Sequence, residues 1–187
     1  VLVTPEFKED SNTLKKFDSI IMCPPFGLVW KDKVNEISND KYGRFMYGLP
    51  GMSSADWLFI CTALKSLKAN GKAVIITTLG ALFRGTSDGR LRKTFLGFDY
   101  IESVIELAGG LFYNTSIPAT MIVLNMNKDL EMKNKIQFIN ADNIYVNEKR
   151  KNILSDENID TILDIYRNKK ESEGISSILD VNEIVDA

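Results

Sequence analysis

The stretch FDSIIMCPPFG, residues 17–27, runs from an apolar, isoleucine-rich segment into a cysteine, two consecutive prolines and a phenylalanine. The two prolines restrict the backbone and withhold two amide donors, so the segment after residue 22 is a stiff loop and not more sheet. Cys23 has no imidazole to activate it, because the chain contains no histidine. That removes Cys–His and Ser–His–Asp nucleophile systems together. The other cysteine, Cys61, is too distant in sequence for a CxxC pair, and without histidine no zinc site of the usual kinds can form. Any catalysis by this chain works by other means.

The chain that must position this loop has 187 residues, 44% hydrophobic and 26% charged, enough for one sizeable core and one principal domain. A formal net charge of -2 argues against gripping nucleic acid by overall electrostatics, so any such contact is local or shared with a partner. The cysteine usage reads as a reduced, cytoplasmic protein. No apolar run reaches the roughly 18 to 20 residues of a membrane helix. No GxxxxGK phosphate loop is present.

FDSIIM is the first expected strand. A polar, aromatic stretch without clear period follows over residues 27–52 and reads as a long loop, a feature that is usually functional or mobile. SSADWLFICTALKSLKANG predicts a helix opened by Ser53, Ser54 or Asp56 and stopped at Asn70-Gly71. KAVIITTL reads as a buried parallel strand, DGRLRKTFLGF as a helix, and YIESVIEL, ATMIVLNMN and KIQFINAD as further strands. A Gly109-Gly110 turn and the loop LFYNTSIP separate the first two of these. From about residue 143 the chain turns polar, with an amphipathic helix in DENIDTILDIYRNKKESE and a tail in SSILDVNEIVDA. The order implies an α/β sheet over residues 1–142 with a helical C-terminal appendage over 143–187.

FDSIIMCPPFG, ADWLFICTALKSLKANGKAVIITTLGALFRG, GRLRKTFL, YIESVIELAGGLFYNTSIPATMIVLNMNK and IQFINAD, in this order, resemble the modification subunit of type I restriction-modification systems, the N6-adenine DNA methylases. The resemblance implies a partial Rossmann-like sheet of the class I S-adenosylmethionine-dependent methyltransferases. It covers the second half of the catalytic domain, beginning just upstream of the fourth strand. It also implies S-adenosylmethionine as methyl donor, DNA as substrate, and specificity and restriction subunits as partners. The glycine-rich cofactor loop of the family has no counterpart before Phe17, so no cofactor-binding residue is assigned.

In that family the loop reads Asn, Asp or Ser, then Pro-Pro, then an aromatic residue. The amino group of adenine is a poor nucleophile because its lone pair is delocalised into the ring. A side-chain acceptor and a proline carbonyl draw it towards a methyl-accepting geometry, and the aromatic residue stacks on the flipped base. Carried over, Pro24 offers the carbonyl, Pro25 shapes the loop and Phe26 stacks. Cys23 stands at the acceptor position, where a thiol is weak. Thr78 and Ala108 replace prolines common in the family.

Other candidates are less specific. Arg84, with Arg90, Arg92 and Lys93, either contacts phosphates or belongs to a solvated helix face. Tyr113, Asn114, Thr115 and Ser116 sit on the expected rim near DNA. Trp57 and Phe59 read as packing residues, while Tyr42, Phe45, Met46 and Tyr47 either close over DNA or belong to a subunit interface. The function implied is methyl transfer to adenine N6 in DNA; the alternative is a catalytically degenerate methylase-fold module acting in assembly or DNA binding.

Overall fold

A computed structural model describes residues 2–113, 115–149 and 151–185. Strand β1 (Phe17–Met22) pairs in parallel with β2 (Leu67–Thr78). Strand β3 (Ile101–Leu107) is separated from β2 by the intervening antiparallel strand β4 (Ala119–Asn125). Strand β5 (Lys135–Ala141) then lies parallel to β3. The expected strands are all present, and they form a mixed α/β sheet.

Both faces of the sheet are covered. Helix α2 (Asp56–Lys65) and helix α4 (Thr86–Gly97) bury Trp57, Ile60, Leu64, Leu91 and Phe95 against Ile75, Val104, Ile122, Leu124 and Ile136. The alternate residues of the same strands, Ile105, Leu107, Val123 and Ile139, pack with Ile162 of α5 (Asp156–Arg167) on the opposite face. This two-sided burial explains why the strands read as continuous apolar runs. Ser155 starts α5 through a reciprocal pair: its hydroxyl accepts from the Asn158 amide at 3.2 Å while the Asn158 side chain accepts from the Ser155 amide at 3.1 Å.

Three segments differ from expectation. The helix expected to reach Asn70 ends at Lys65, and β2 already begins at Leu67. Asn70-Gly71 still breaks regularity, but inside the strand: from Phe17↔Leu67 to Ser19↔Lys72, β1 advances two residues while β2 advances five. Only glycine fits there, since a Cβ on Gly71 would lie 2.9 Å from the Phe17 carbonyl oxygen. In the C-terminal region, α5 stops at Arg167, two residues before Lys169 takes a positive φ of 50°. The expected tail is instead strand β8 (Ser176–Asp180), antiparallel to β5 at the sheet edge, followed by α6 (Val181–Val185). The appendage thus contributes sheet as well as helix. A buried Gln137 side chain donates to the Ile165 carbonyl at 3.0 Å and to the Ser176 hydroxyl at 3.3 Å, tying the helix and the new strand to β5.

The long segment 27–52 is ordered by burial. It contains the short helix α1 (Val34–Ser38) and sinks Trp30 and Ile37 beside Leu58 and Phe59. The Trp30 indole donates to the Gly51 carbonyl at 3.0 Å. Arg44, fully buried, pairs with Asp40 at 2.7 Å and donates to the Leu2 carbonyl at 2.8 Å. The aromatic residues of this segment serve packing: Tyr47 meets Phe95 at 6.1 Å, and Arg44 lies over the Phe45 ring at 4.8 Å.

Candidate active site

The parallel strands β1 and β2 end side by side, and beyond their C-terminal ends opens a cleft of about 870 Å³. Open α/β sheets bind their ligands at such strand ends. The first wall is the loop that follows β1. Its prolines hold Cys23 exposed and Pro24 buried, and Phe26 is half-buried with its ring edge-on to Phe112 at 5.4 Å. Gly27 leaves the loop at φ 65°, a left-handed conformation that favours glycine. The Leu28 carbonyl then accepts from the Ala55 amide at 2.8 Å, fixing the loop to the start of α2.

The second wall is the end of β2 and helix α3 (Gly80–Phe83), with Thr78, Leu79, Gly80, Phe83 and Arg84 lining the cleft. Arg84 pairs with the buried Asp56 carboxylate at 2.8 Å, and Thr78 donates to the same carboxylate oxygen at 3.1 Å. Asp88 stands 3.9 Å from the same guanidinium. Two carboxylates therefore face one cation, so Arg84 lines the cleft with its charge already offset internally. A Cβ on Gly80 would lie 2.4 Å from the Arg84 Nη2, so glycine is what lets the guanidinium lie against the backbone. The wall is braced from behind by the Trp57 indole, which donates to the Ala81 carbonyl at 3.0 Å, and by Arg92, which donates to the Arg84 carbonyl at 2.6 Å.

The third wall is the loop between β3 and β4, represented by Phe112, Tyr113, Thr115 and Ile117. Tyr113 is 82% exposed and Phe83, across the opening, 73% exposed. Thr115 accepts from the Ile117 amide at 3.1 Å in a local turn. Behind this loop stands a separate hairpin, β6 (Val146–Glu148) and β7 (Lys151–Ile153).

The structure brings Cys23, Pro24, Pro25, Phe26, Arg84, Tyr113 and Thr115 onto one cleft, whereas Asn114 lies outside the described residues. Arg90, Arg92 and Lys93 border a different groove, between α4 and the sheet. Trp57 and Phe59 are core. The second cysteine is core as well: burial pushes the Cys61 thiol up to about 12. No cluster of acidic and cysteine residues able to hold a metal ion occurs among the described residues. Sequence reasoning missed Phe83, Phe112 and the β6–β7 hairpin, and it read Asp56 as a helix-cap candidate with Ser53 and Ser54, whereas Ala55 stands at the cap without a side-chain hydrogen bond and Asp56 pairs with Arg84. The two phenylalanines stand inside quoted motifs, but nothing in their spacing distinguishes a cleft wall from core.

The N-6 DNA methylase family model matches residues 2–187. The chain belongs to that family. Over 98% of its length it is 38% identical to the type I restriction enzyme MjaVIII methylase subunit of Methanocaldococcus jannaschii, spanning 32% of that protein. Over 90% of its length it is 32% identical to the MpnII methylase subunit of Mycoplasma pneumoniae, spanning 31% of it. The fold superposes with a TM-score of 0.84 on the type I restriction-modification methyltransferase subunit of Streptococcus thermophilus, at 30% identity, covering 97% of this chain and 38% of that one. The EcoKI M protein shares the fold at a TM-score of 0.62 and 18% identity. The chain thus spans about a third of the length of the relatives it matches. The family resemblance carried by the quoted motifs and the α/β methyltransferase-type fold are both borne out.

Proposed function

We propose that the cleft receives an adenine extruded from duplex DNA and presents its amino group for methylation, as part of a type I modification subunit. The observation that carries this reading is the aromatic-walled cleft built on Cys23-Pro24-Pro25-Phe26 in a chain of the N-6 DNA methylase family. Phe26, held edge-on by Phe112, gives a flat surface for the base. Phe83 and Tyr113 supply further aromatic surface at the mouth, and stacking tolerates a base without hydrogen-bond readout. The Pro24 carbonyl and the side chain at position 23 are assigned to the amino hydrogens. No side-chain base is needed, because the amino proton is lost after attack.

S-adenosylmethionine, the methyl donor implied by the family, would supply an electrophilic methyl group. The described residues fit only one side of its site. The cleft at the end of β1 is present, but no glycine-rich strand-to-helix turn lies beside that strand, so no residue of this chain is assigned to holding the cofactor. We infer that the remaining two thirds of a protein of the relatives' length complete the site, in the cytoplasm and together with specificity and restriction subunits. A catalytically degenerate module acting in assembly is the second reading, favoured by the thiol at the acceptor position.

The test is transfer of a labelled methyl group to adenine N6 of duplex DNA by the full-length protein with its specificity subunit. Transfer is expected, and Phe26→Ala is expected to weaken DNA binding by about 1–3 kcal/mol, the worth of one aromatic–base stack. Unchanged DNA affinity in Phe26→Ala would remove the base from this cleft.

A further inference from the structure

We propose that the β6–β7 hairpin is a phosphate-gripping element on the rim of the cleft, contacting the DNA backbone beside the extruded nucleotide. This rests on the reading that the cleft takes a base from DNA. The hairpin stands apart from the main sheet, yet Asn152 fixes it to the loop that walls the cleft. The Asn152 amide donates to the Gly110 carbonyl at 3.1 Å, and its side chain donates to the Gly109 carbonyl at 2.7 Å. Its side-chain oxygen accepts from Asn147 at 2.9 Å, which pins the register of the two strands as well. Gly109 and Gly110 open the loop that carries Phe112, Tyr113 and Thr115 into the cleft, so hairpin and wall form one unit.

What sets this unit apart is where it places its cations, at the rim of the cleft. The sequence leading from β6 into β7 reads Lys149-Arg150-Lys151 in a chain of net charge -2, and Lys149 and Lys151 lie among the described residues. Lys149 and Lys151 are exposed, and among the described residues neither has a carboxylate within ion-pair distance. Among the described residues Lys33, Lys68, Lys72, Lys128, Lys169 and Lys170 form ion pairs, while others such as Lys31, Lys41 and Lys133 form none, so position at the cleft and not lack of a partner singles out this pair. Lys151 instead lies 4.8 Å from the centre of the Tyr113 ring and donates to its hydroxyl at 3.3 Å. The pair holds a cation at the lip of the opening without neutralising it. Arg84, deeper in the cleft, is offset by Asp56 and Asp88 and cannot supply that field. Glu148, opposite Lys151 in the hairpin register, is outside ion-pair distance and offsets only part of this charge, so the hairpin sequence stays net positive. A base that enters the cleft brings its two flanking phosphates to the mouth, where such cations are most useful.

The experiment is the salt dependence of binding of a labelled, adenine-containing duplex by the full-length protein. Each lost phosphate contact lowers the magnitude of the slope of log K against log salt by about 0.9, so K149Q/K151Q is expected to reduce it by about 1.8. The charge-retaining pair K149R/K151R is expected to keep the original slope, which separates loss of charge from a damaged fold. An unchanged slope in K149Q/K151Q would overturn the proposal. If that variant instead stops co-purifying with the specificity subunit at unchanged slope, the hairpin is a protein contact and the proposal also falls. Absence of DNA binding by the unmodified protein would remove the functional reading first, and the hairpin's role with it.

Discussion

At the scale of single residues, Cys23 and Arg84 separate chemistry from architecture. Cys23 is exposed at the lip of a loop whose other members are held by proline geometry and by the Phe26–Phe112 contact, so on the proposed reading replacing it changes the acceptor and little else. Cys23→Asn puts an amide oxygen where a weak sulfur acceptor stands. One good hydrogen bond to the amino group is worth about 1–3 kcal/mol, and methyl transfer by the full-length protein should rise by roughly 5- to 150-fold. No rise would support the degenerate-module reading. Arg84 is the opposite case. Its loss leaves the buried Asp56 carboxylate without its cation, and Arg84→Ala should destabilise the fold by about 2–4 kcal/mol in urea unfolding, discounted from a fully buried pair because Arg84 is partly exposed. Because the neighbouring carboxylates already offset its charge, the same variant should leave the salt slope of DNA binding nearly unchanged. A fall in slope without a fall in stability would make Arg84 a phosphate ligand.

At the scale of elements, what was legible depended on how many faces each segment buries. Strands β1 to β5 were readable because apolar runs between turn residues leave few alternatives, and the cleft loop because proline and glycine act through the backbone itself. Strand β8 was not readable: it lies at an edge with only Ser176 buried among five residues, so its pattern is polar and its pairing is decided by Gln137 and β5. The β6–β7 hairpin is fully exposed on its first strand and depends on Asn152 meeting two distant glycines. The same reasoning hid Glu102, a charged residue inside a buried strand. It accepts from Tyr166 of α5 at 2.5 Å and from Asn125 of β4, and faces Lys72 at 3.3 Å and Lys169 at 3.4 Å. Burial alone would raise its pKa, but the Tyr166 and Asn125 hydrogen bonds and then the two lysines outweigh it and hold the carboxyl at about 2, below its ordinary 4.5. A depressed folded value means the carboxylate stabilises the protein above about pH 4.5, and that contribution fades as pH falls towards about 2. Glu102→Gln should therefore cost about 1–2 kcal/mol near neutral pH. The gap to the unmodified protein should close between those two pH values in urea titrations. A constant gap would show that Glu102 acts by packing and not by charge.

At the scale of the whole molecule, the two edges of the sheet are unequal. The β8 edge is blunted: the strand has five residues, begins with two serines and ends in Asp180. The β1 edge is six residues of FDSIIM, paired among the described residues only with β2, and Ile21 is 84% exposed on it. Phe7, 62% exposed, meets Phe17 edge-on at 5.7 Å and extends this apolar surface, which borders a groove of about 470 Å³ running on to Pro24 and Pro25. A strand with one open edge and an exposed β-branched residue is a template for another strand, and relatives about three times as long have further chain available to meet it. The 187-residue chain by itself has only copies of itself. It should therefore self-associate with rising concentration in sedimentation velocity, and Ile21→Lys should shift it towards monomer by placing a charge on the open edge. Because Ile21 packs against almost nothing, the substitution should move thermal stability by no more than about 0.5 kcal/mol, as for other surface changes. A chain that sediments as a monomer at every concentration, with and without the lysine, would mean that the β1 edge is already protected by the segment around Phe7 and needs no further strand.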